Sequence, residues 1–220
     1  MRVLNLYAGI GGNRKFWDKE HTGLDLDITA VELDPKITKI YQDFFPNDKV
    51  IVTDAHPYLL EHFKEFDFIW SSPPCPSHSR FNNLNVAQGF PPRYPDMALW
   101  QEIILLKHWF KGKFCVENVI TYYEPMFNPI ESNNHFFWTN FWFTPFRNTT
   151  RGIRRVGKND KNFGLRKERT GFDLSKHNLE TRFEKQVLNN CVEPELGLHI
   201  LKESQRNIQP ELFNPQGARG

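Results

Sequence analysis

Ser71-Ser72-Pro73-Pro74-Cys75-Pro76 places a thiol on a proline-stiffened turn directly after the apolar run Phe66–Ser71. Proline fixes φ at about −65°, so such a turn has little freedom. Cysteine is commonly a small buried hydrophobe, but packing gives no reason for the prolines before it. As a nucleophile, Cys75 suits a ring carbon that needs activation. C5 of cytosine is not nucleophilic until something adds at C6, and a thiolate can add there. Val116-Glu117-Asn118-Val119 closes another apolar run, Phe114–Val119. A carboxyl group there can protonate or hydrogen-bond N3 of the same ring and make C6 electrophilic, while Asn118 can hold the turn. Alone, a Glu-Asn pair at a strand end is usually a cap or a surface feature; it gains meaning from Cys75. Cys115 and Cys191 lack this setting and read as packing residues. Three widely spaced cysteines without a C-x-x-C pair suggest neither a disulfide framework nor a zinc site.

A second constellation opens the chain. Asn5-Leu6-Tyr7-Ala8-Gly9-Ile10-Gly11-Gly12 runs from an apolar stretch into a glycine turn. Such turns let the backbone approach a ligand closely and offer it N–H groups. Roughly 20 residues later Glu32 ends the next apolar stretch, placed to accept hydrogen bonds from a ribose. The pair favours an adenosine-containing cofactor without identifying it, and a lone glycine turn is often only a tight connection.

These residues need a scaffold that brings strand ends together. Strands are predicted at Val3–Tyr7, Ile28–Leu33, Val50–Thr53, Phe66–Ser71, Phe114–Val119 and Phe136–Phe143. Helices are predicted at Asn13–Glu20, Pro35–Phe44, Pro57–Lys64 and Met97–Phe110; in the last, Leu99, Ile103, Leu106 and Phe110 fall at helical spacing. The alternation predicts an α/β fold, an open and mostly parallel sheet with helices on both faces. Ligands in such sheets sit at the C-terminal ends of the strands, where the unusual residues fall. Pro76–Pro95 reads as a long connection that could act as a lid. Thr149–Phe172 reads as an extended excursion, and Leu179–Leu201 as helical again.

Charge is unevenly spread over the 220 residues. Arg147–Lys185 holds 12 basic and 5 acidic residues, a local net of +7, against −5 for the remainder. Following the aromatic cluster Phe136–Phe143, this segment suits nucleic-acid binding, although a solvated basic face has the same composition. No apolar run approaches the length of a membrane span. The start Met1–Gly12 lacks the features of a signal peptide, and the expected location is the cytoplasm of a bacterial or phage-infected cell.

The ordered blocks resemble the DNA cytosine-C5 methyltransferase family. They are Tyr7–Gly12, Glu32, Asp54, Pro73-Pro74-Cys75, Glu117-Asn118-Val119 and a closing block Gln186–Leu201 with Asn189-Asn190-Cys191-Val192-Glu193-Pro194. The resemblance implies a Rossmann-like fold with S-adenosylmethionine as methyl donor. It implies that Tyr7, Gly9, Gly11 and Pro73 line the cofactor site, that Glu32 takes the ribose hydroxyls, and that Leu33 packs on adenine. Asp54 would accept from the adenine amino group and Asn190 would close the pocket. Cys75, Glu117 and Asn118 would be catalytic, acting on a cytosine flipped out of double-stranded DNA. Arg80 and Arg93 of the lid, with Arg151, Arg154, Arg155, Arg166 and Lys167 of the basic segment, would meet the nucleic acid.

Two departures stand out. The family's Gln-x-Arg-x-Arg block is replaced by Glu131-Ser132-Asn133-Asn134-His135, so His135 or a later arginine must substitute. The large target-recognition region shrinks to about forty residues, which gives the expected organisation: catalytic core 1–144, basic recognition segment 145–185, return segment 186–202 and flexible tail 203–220. The same chemistry on tRNA, or a protein that binds cofactor and DNA without catalysis, remain open alternatives. In the tail, Gln209-Pro210-Glu211-Leu212-Phe213 resembles the peptide by which bacterial proteins dock onto the polymerase sliding clamp. The same Leu-Phe pair would also suit packing on its own domain.

Overall fold

The computed structural model describes residues 1–145 and 161–206. Arg151, Arg154, Arg155 and Gln209–Phe213 lie outside the described residues, as does the side chain of Arg166. Among the described residues seven strands form a sheet: β1 (Arg2–Leu6), β2 (Asp27–Glu32), β3 (Lys49–Val52), β4 (Phe68–Ser71), β5 (Lys113–Val119), β6 (Ile130–Ser132) and β7 (His135–Thr139). Their order is β3-β2-β1-β4-β5-β7-β6. β1 to β5 are parallel, and β7 runs antiparallel to both β5 and β6. The chain therefore reverses direction across the sheet between β1 and β4, the switch point at which Rossmann-like sheets open a binding crevice.

Eight helices among the described residues surround the sheet: α1 (Lys19–Thr22), α2 (Pro35–Phe44), α3 (Ala55–His62), α4 (Phe81–Ala87), α5 (Ala98–Trp109), α6 (Lys161–Thr170), α7 (Thr181–Asn189) and α8 (Pro194–Ser204). Strand side chains alternate between faces. Leu4, Leu6, Val31, Ile69, Phe114 and Val116 pack with Leu59 of α3 and Leu99, Ile103 and Leu106 of α5. Val3, Ile28, Phe68, Trp70, Cys115 and Phe137 face the other way, onto Trp17 and onto Leu196, Ile200 and Leu201 of α8. Ala30 joins Ile40 and Tyr41 of α2 to Val187 and Leu188 of α7. Central β4 is buried along its whole length; each such large apolar side chain contributes about 1.5–3 kcal/mol.

Asp34 and Asp54 stop β2 and β3 and start the next helices by capping them. Their carboxylates accept from the N–H groups of Lys36 (2.8 Å) and His56 (3.0 Å).

Several expectations need correction. The helix expected over Asn13–Glu20 is instead a series of turns, and only α1 is helical. Asn13 spends its side chain on Asn5, at 2.8 Å, rather than on capping a helix, and the cap falls to Asp18. Pro76–Pro95 contains α4, and the excursion expected over Thr149–Phe172 contains α6. The predicted helix over Leu179–Leu201 splits into α7 and α8 at Pro194, whose ring cannot continue a helix from the preceding turn. The short β6 was not expected; Asn133 and Asn134, both at positive φ, turn it into β7.

Candidate active site

β4 and β5 lie side by side with Ser71 opposite Val116. The Pro-Pro-Cys turn and the Glu117-Asn118 pair therefore leave the sheet at the same edge. Asn118 fastens them: its Nδ2 donates to the Pro73 carbonyl at 3.0 Å, and its Oδ1 accepts from the Val119 N–H at 3.0 Å. Cys75 is half-buried, and its carbonyl accepts from the N–H groups of His78 (3.0 Å) and Ser79 (3.1 Å), closing the turn. Glu117 is 8% exposed. His135 Nε2 stands 3.7 Å from Glu117 Oε1, while its Nδ1 lies 3.1 Å from the Asn133 carbonyl. A histidine thus occupies the neighbourhood of the carboxylate for which the sequence offers no Gln-x-Arg-x-Arg arginine. Burial pushes the Cys115 thiol well above its ordinary pKa and the Cys191 thiol up to about 12. Neither is a nucleophile at neutral pH.

The ends of β1, β2 and β3 form a ledge at the same sheet edge. Gly9, at φ 55°, donates its N–H to Glu32 Oε2 at 3.0 Å, and Asp34 donates to Oε1 at 3.0 Å. Two backbone donors thus fix the orientation of Glu32. A Cβ on Gly11, at φ 83°, would strike the rings of Phe45 and Tyr41. A Cβ on Gly12 would meet the Val192 carbonyl at 2.5 Å and Cys191 Cβ at 3.0 Å, so the residues just after Asn190 pack directly on the glycine turn. Asn190 itself is exposed at the C-terminus of α7. Leu33 and Val52, 66% and 51% exposed, flank the ledge with apolar surface, and a Cβ on Gly9 would meet nothing within 4 Å. Apolar surface beside oriented carboxylates and open space before a glycine turn fits an adenosine with its ribose.

Sequence reasoning passed over Glu102. It is fully buried on α5, where it accepts from Tyr7 Oη (2.7 Å) and Ser71 Oγ (2.6 Å) and pairs with His56 Nδ1 (3.0 Å). Burial, then the charge of Glu102, raise the Tyr7 pKa and keep its hydroxyl a donor. The bond to Glu102 raises the pKa of His56. The available signal was an acid lying three residues after Leu99 and four before Leu106, on the apolar stripe of its helix.

The connection after Cys75 is tied down at both ends. Buried His78 places Nδ1 2.6 Å from Tyr123 Oη, and its carbonyl accepts from the Tyr122 N–H at 3.1 Å. Buried Asn82 clamps Arg93 through backbone bonds of 2.7 and 3.0 Å. Arg80 and Arg93 are exposed, and so are Phe81, Leu84, Phe90 and Tyr94 around them. Lys167, expected to meet nucleic acid, pairs with Glu184 at 2.6 Å. Arg169, on the same helix, pairs with Glu193.

A family model described as C-5 cytosine-specific DNA methylase matches residues 1–120. Among solved structures, the chain is similar to a mutant of DNMT2 from Spodoptera frugiperda. Identity is 26% over 54% of this chain and 35% of that one, with a TM-score of 0.37. It is similar to TrmN from Thermus thermophilus, at 19% identity over 54% and 33%, with a TM-score of 0.37. It is also similar to a putative DNA modification methyltransferase encoded within a prophage (E. coli), at 20% identity over 56% and 33%, with a TM-score of 0.39. The chain thus spans about a third of the length of each of these three. No curated protein matches it.

Proposed function

The chain belongs to the C-5 cytosine-specific DNA methylase family, whose cofactor is S-adenosylmethionine, and we propose that it methylates carbon 5 of a flipped-out cytosine in DNA with Cys75 as nucleophile. The observation that carries this reading is the 3.0 Å bond from Asn118 to the Pro73 carbonyl. It ties the stiff turn bearing the thiol to the strand end bearing the buried carboxylate.

Cys75 adds through sulfur to C6 of the cytosine, while Glu117 supports N3. Addition places electron density on C5. C5, so activated, would take the methyl group of the donor, and loss of the C5 proton would then restore the ring and expel the Cys75 thiolate. A free thiol has a pKa near ~8.5 and is only a few per cent ionised at neutral pH, so addition is accompanied by loss of the thiol proton. His135 beside Glu117 stands in for the absent arginines in bracing the carboxylate. S-adenosylmethionine supplies an electrophilic methyl group. Glu32 would hold its ribose, Leu33 and Asp54 its adenine, and the turn Tyr7–Gly11 its methionine end. Extrusion of the base costs a few kcal/mol, and the exposed Arg80 and Arg93 of the connection after Cys75 would meet phosphates.

Trapping tests the reading. DNA containing 5-fluorocytosine cannot lose its C5 substituent, so with cofactor present the protein should remain attached in denaturing gels. Cys75→Ala should abolish the adduct. Tritium release from C5-labelled cytosine compares DNA with tRNA. Release from tRNA alone would transfer the same chemistry to RNA, and no release or adduct with either would remove the methyltransferase reading.

A further inference from the structure

Glu102 is a charged group where helix spacing calls for an apolar one. A buried carboxylate is costly unless its oxygens are satisfied. Here they are, by donors from three separate elements: Oε1 meets Tyr7 and His56, and Oε2 meets Ser71. Each donor sits two residues from a group of the candidate site. Tyr7 precedes Gly9, whose N–H orients Glu32; His56 follows Asp54; Ser71 precedes Pro73, whose carbonyl Asn118 holds. Tyr7 is also at φ 54°, a backbone conformation uncommon for a bulky residue, and its hydroxyl is the anchor that keeps it there. A phenylalanine would lack that anchor.

We propose that Glu102 is the positioning residue that sets the cofactor loop and the nucleophile turn relative to each other, through Tyr7 on one branch and Ser71 on the other. This rests on the reading of the ledge as the cofactor site and of Cys75 as the nucleophile. A buried acid that served packing alone would not need a separate branch to each part of the site.

Single-branch variants separate the two roles. Two readouts are used, neither needing DNA: affinity for S-adenosylhomocysteine by calorimetry, and the rate at which iodoacetamide alkylates Cys75, followed by the mass of its peptide. Tyr7→Phe should weaken the nucleoside about 3- to 10-fold, the worth of one hydrogen bond, and leave alkylation unchanged. Ser71→Ala should leave affinity unchanged and speed alkylation by a similar factor, because the loosened turn exposes the half-buried thiol. Glu102→Gln, which keeps the shape and removes the charge, should show both effects. Should Glu102→Gln fail to fold, the two single-branch variants still decide the matter. Equal effects of Tyr7→Phe and Ser71→Ala on both readouts, or no effect of any variant, would overturn the proposal. Variants that show the split, made in a protein that methylates no DNA, would contradict the proposed function alone.

Discussion

Asn118 satisfies two backbone groups with one side chain, donating to the Pro73 carbonyl and accepting from the Val119 N–H. At 2% exposure neither bond can be replaced readily by water. Asn118→Ala should therefore cost about 1–3 kcal/mol of stability by stranding buried polar groups. It should also lower the rate of adduct formation on 5-fluorocytosine DNA more than it lowers affinity for S-adenosylhomocysteine. Denaturant titration and the trapping assay measure the two effects. A stable variant with unchanged trapping would mean that the turn needs no tether. Asn118→Asp makes a finer test, since it keeps an acceptor for Val119 but presents no amide N–H to Pro73. Its role as the holder of the turn was readable from Pro-Pro-Cys and Glu-Asn standing at two strand ends. The partnership of Glu102 with Tyr7, His56 and Ser71 was not, because its members lie up to 95 residues apart and only the fold brings them together.

The connection between β4 and α5 is held at one end by a buried imidazole and at the other by Asn82. His78 is fully buried, with Tyr123 as partner of Nδ1 and no hydrogen-bond partner for Nε2 among the described residues. Burial lowers its pKa, opposed by the charge of Asp96. The unfolded chain therefore binds this proton more readily than the folded one. Stability is complete above the ordinary histidine value near ~6.5 and falls as pH drops from there toward the depressed folded value. His78→Phe removes the titration while keeping a ring. Its melting temperature, compared with wild type from pH 7.5 to 5, should gain on the wild type as the pH falls. Parallel curves would show that His78 does not titrate with folding. This element also marks where sequence reading ran short. Pro76–Pro95 offered polar residues and prolines but no periodicity, so a seven-residue helix within it left no trace. The parallel strands were legible because their apolar runs are bounded by turn residues. The three-residue β6 is shorter than any pattern can mark, and α7 and α8 merged because their apolar residues continue across Pro194.

At the scale of the whole molecule, the two ends of the sheet differ in kind. The C-terminal edge of the strands carries Glu32, Asp54 and Glu117, acids suited to a nucleoside and a base but not to phosphates. Cations must come from elsewhere, and the sequence concentrates them between Arg147 and Lys185. In the described part of that segment two ion pairs, Lys167–Glu184 and Arg169–Glu193, engage some of the charge internally. α7 faces its cluster with Val187 and Leu188 and turns Arg182, Gln186 and Asn189 outward. A groove of about 570 Å³ there is lined by Thr181, Arg182, Lys185, Gln186, Asn189 and Asn190. Its Asn190 end leads into Cys191 and Val192, which pack on the glycine turn. If the DNA backbone crosses this groove, Arg182→Ala with Lys185→Ala should weaken binding and reduce the slope of log affinity against log salt by roughly 2, one for each phosphate that no longer meets a cation. Lys49 and Lys113 open β3 and β5 at the opposite end of the sheet and serve as the control pair. Replacing both by alanine should leave the slope unchanged. Fluorescence anisotropy with a labelled duplex between about 50 and 200 mM salt, the range over which phosphate binding weakens most visibly, reads both variants. Equal slopes for the two pairs would mean that attraction is spread over the surface and that α7 is only a solvated basic face.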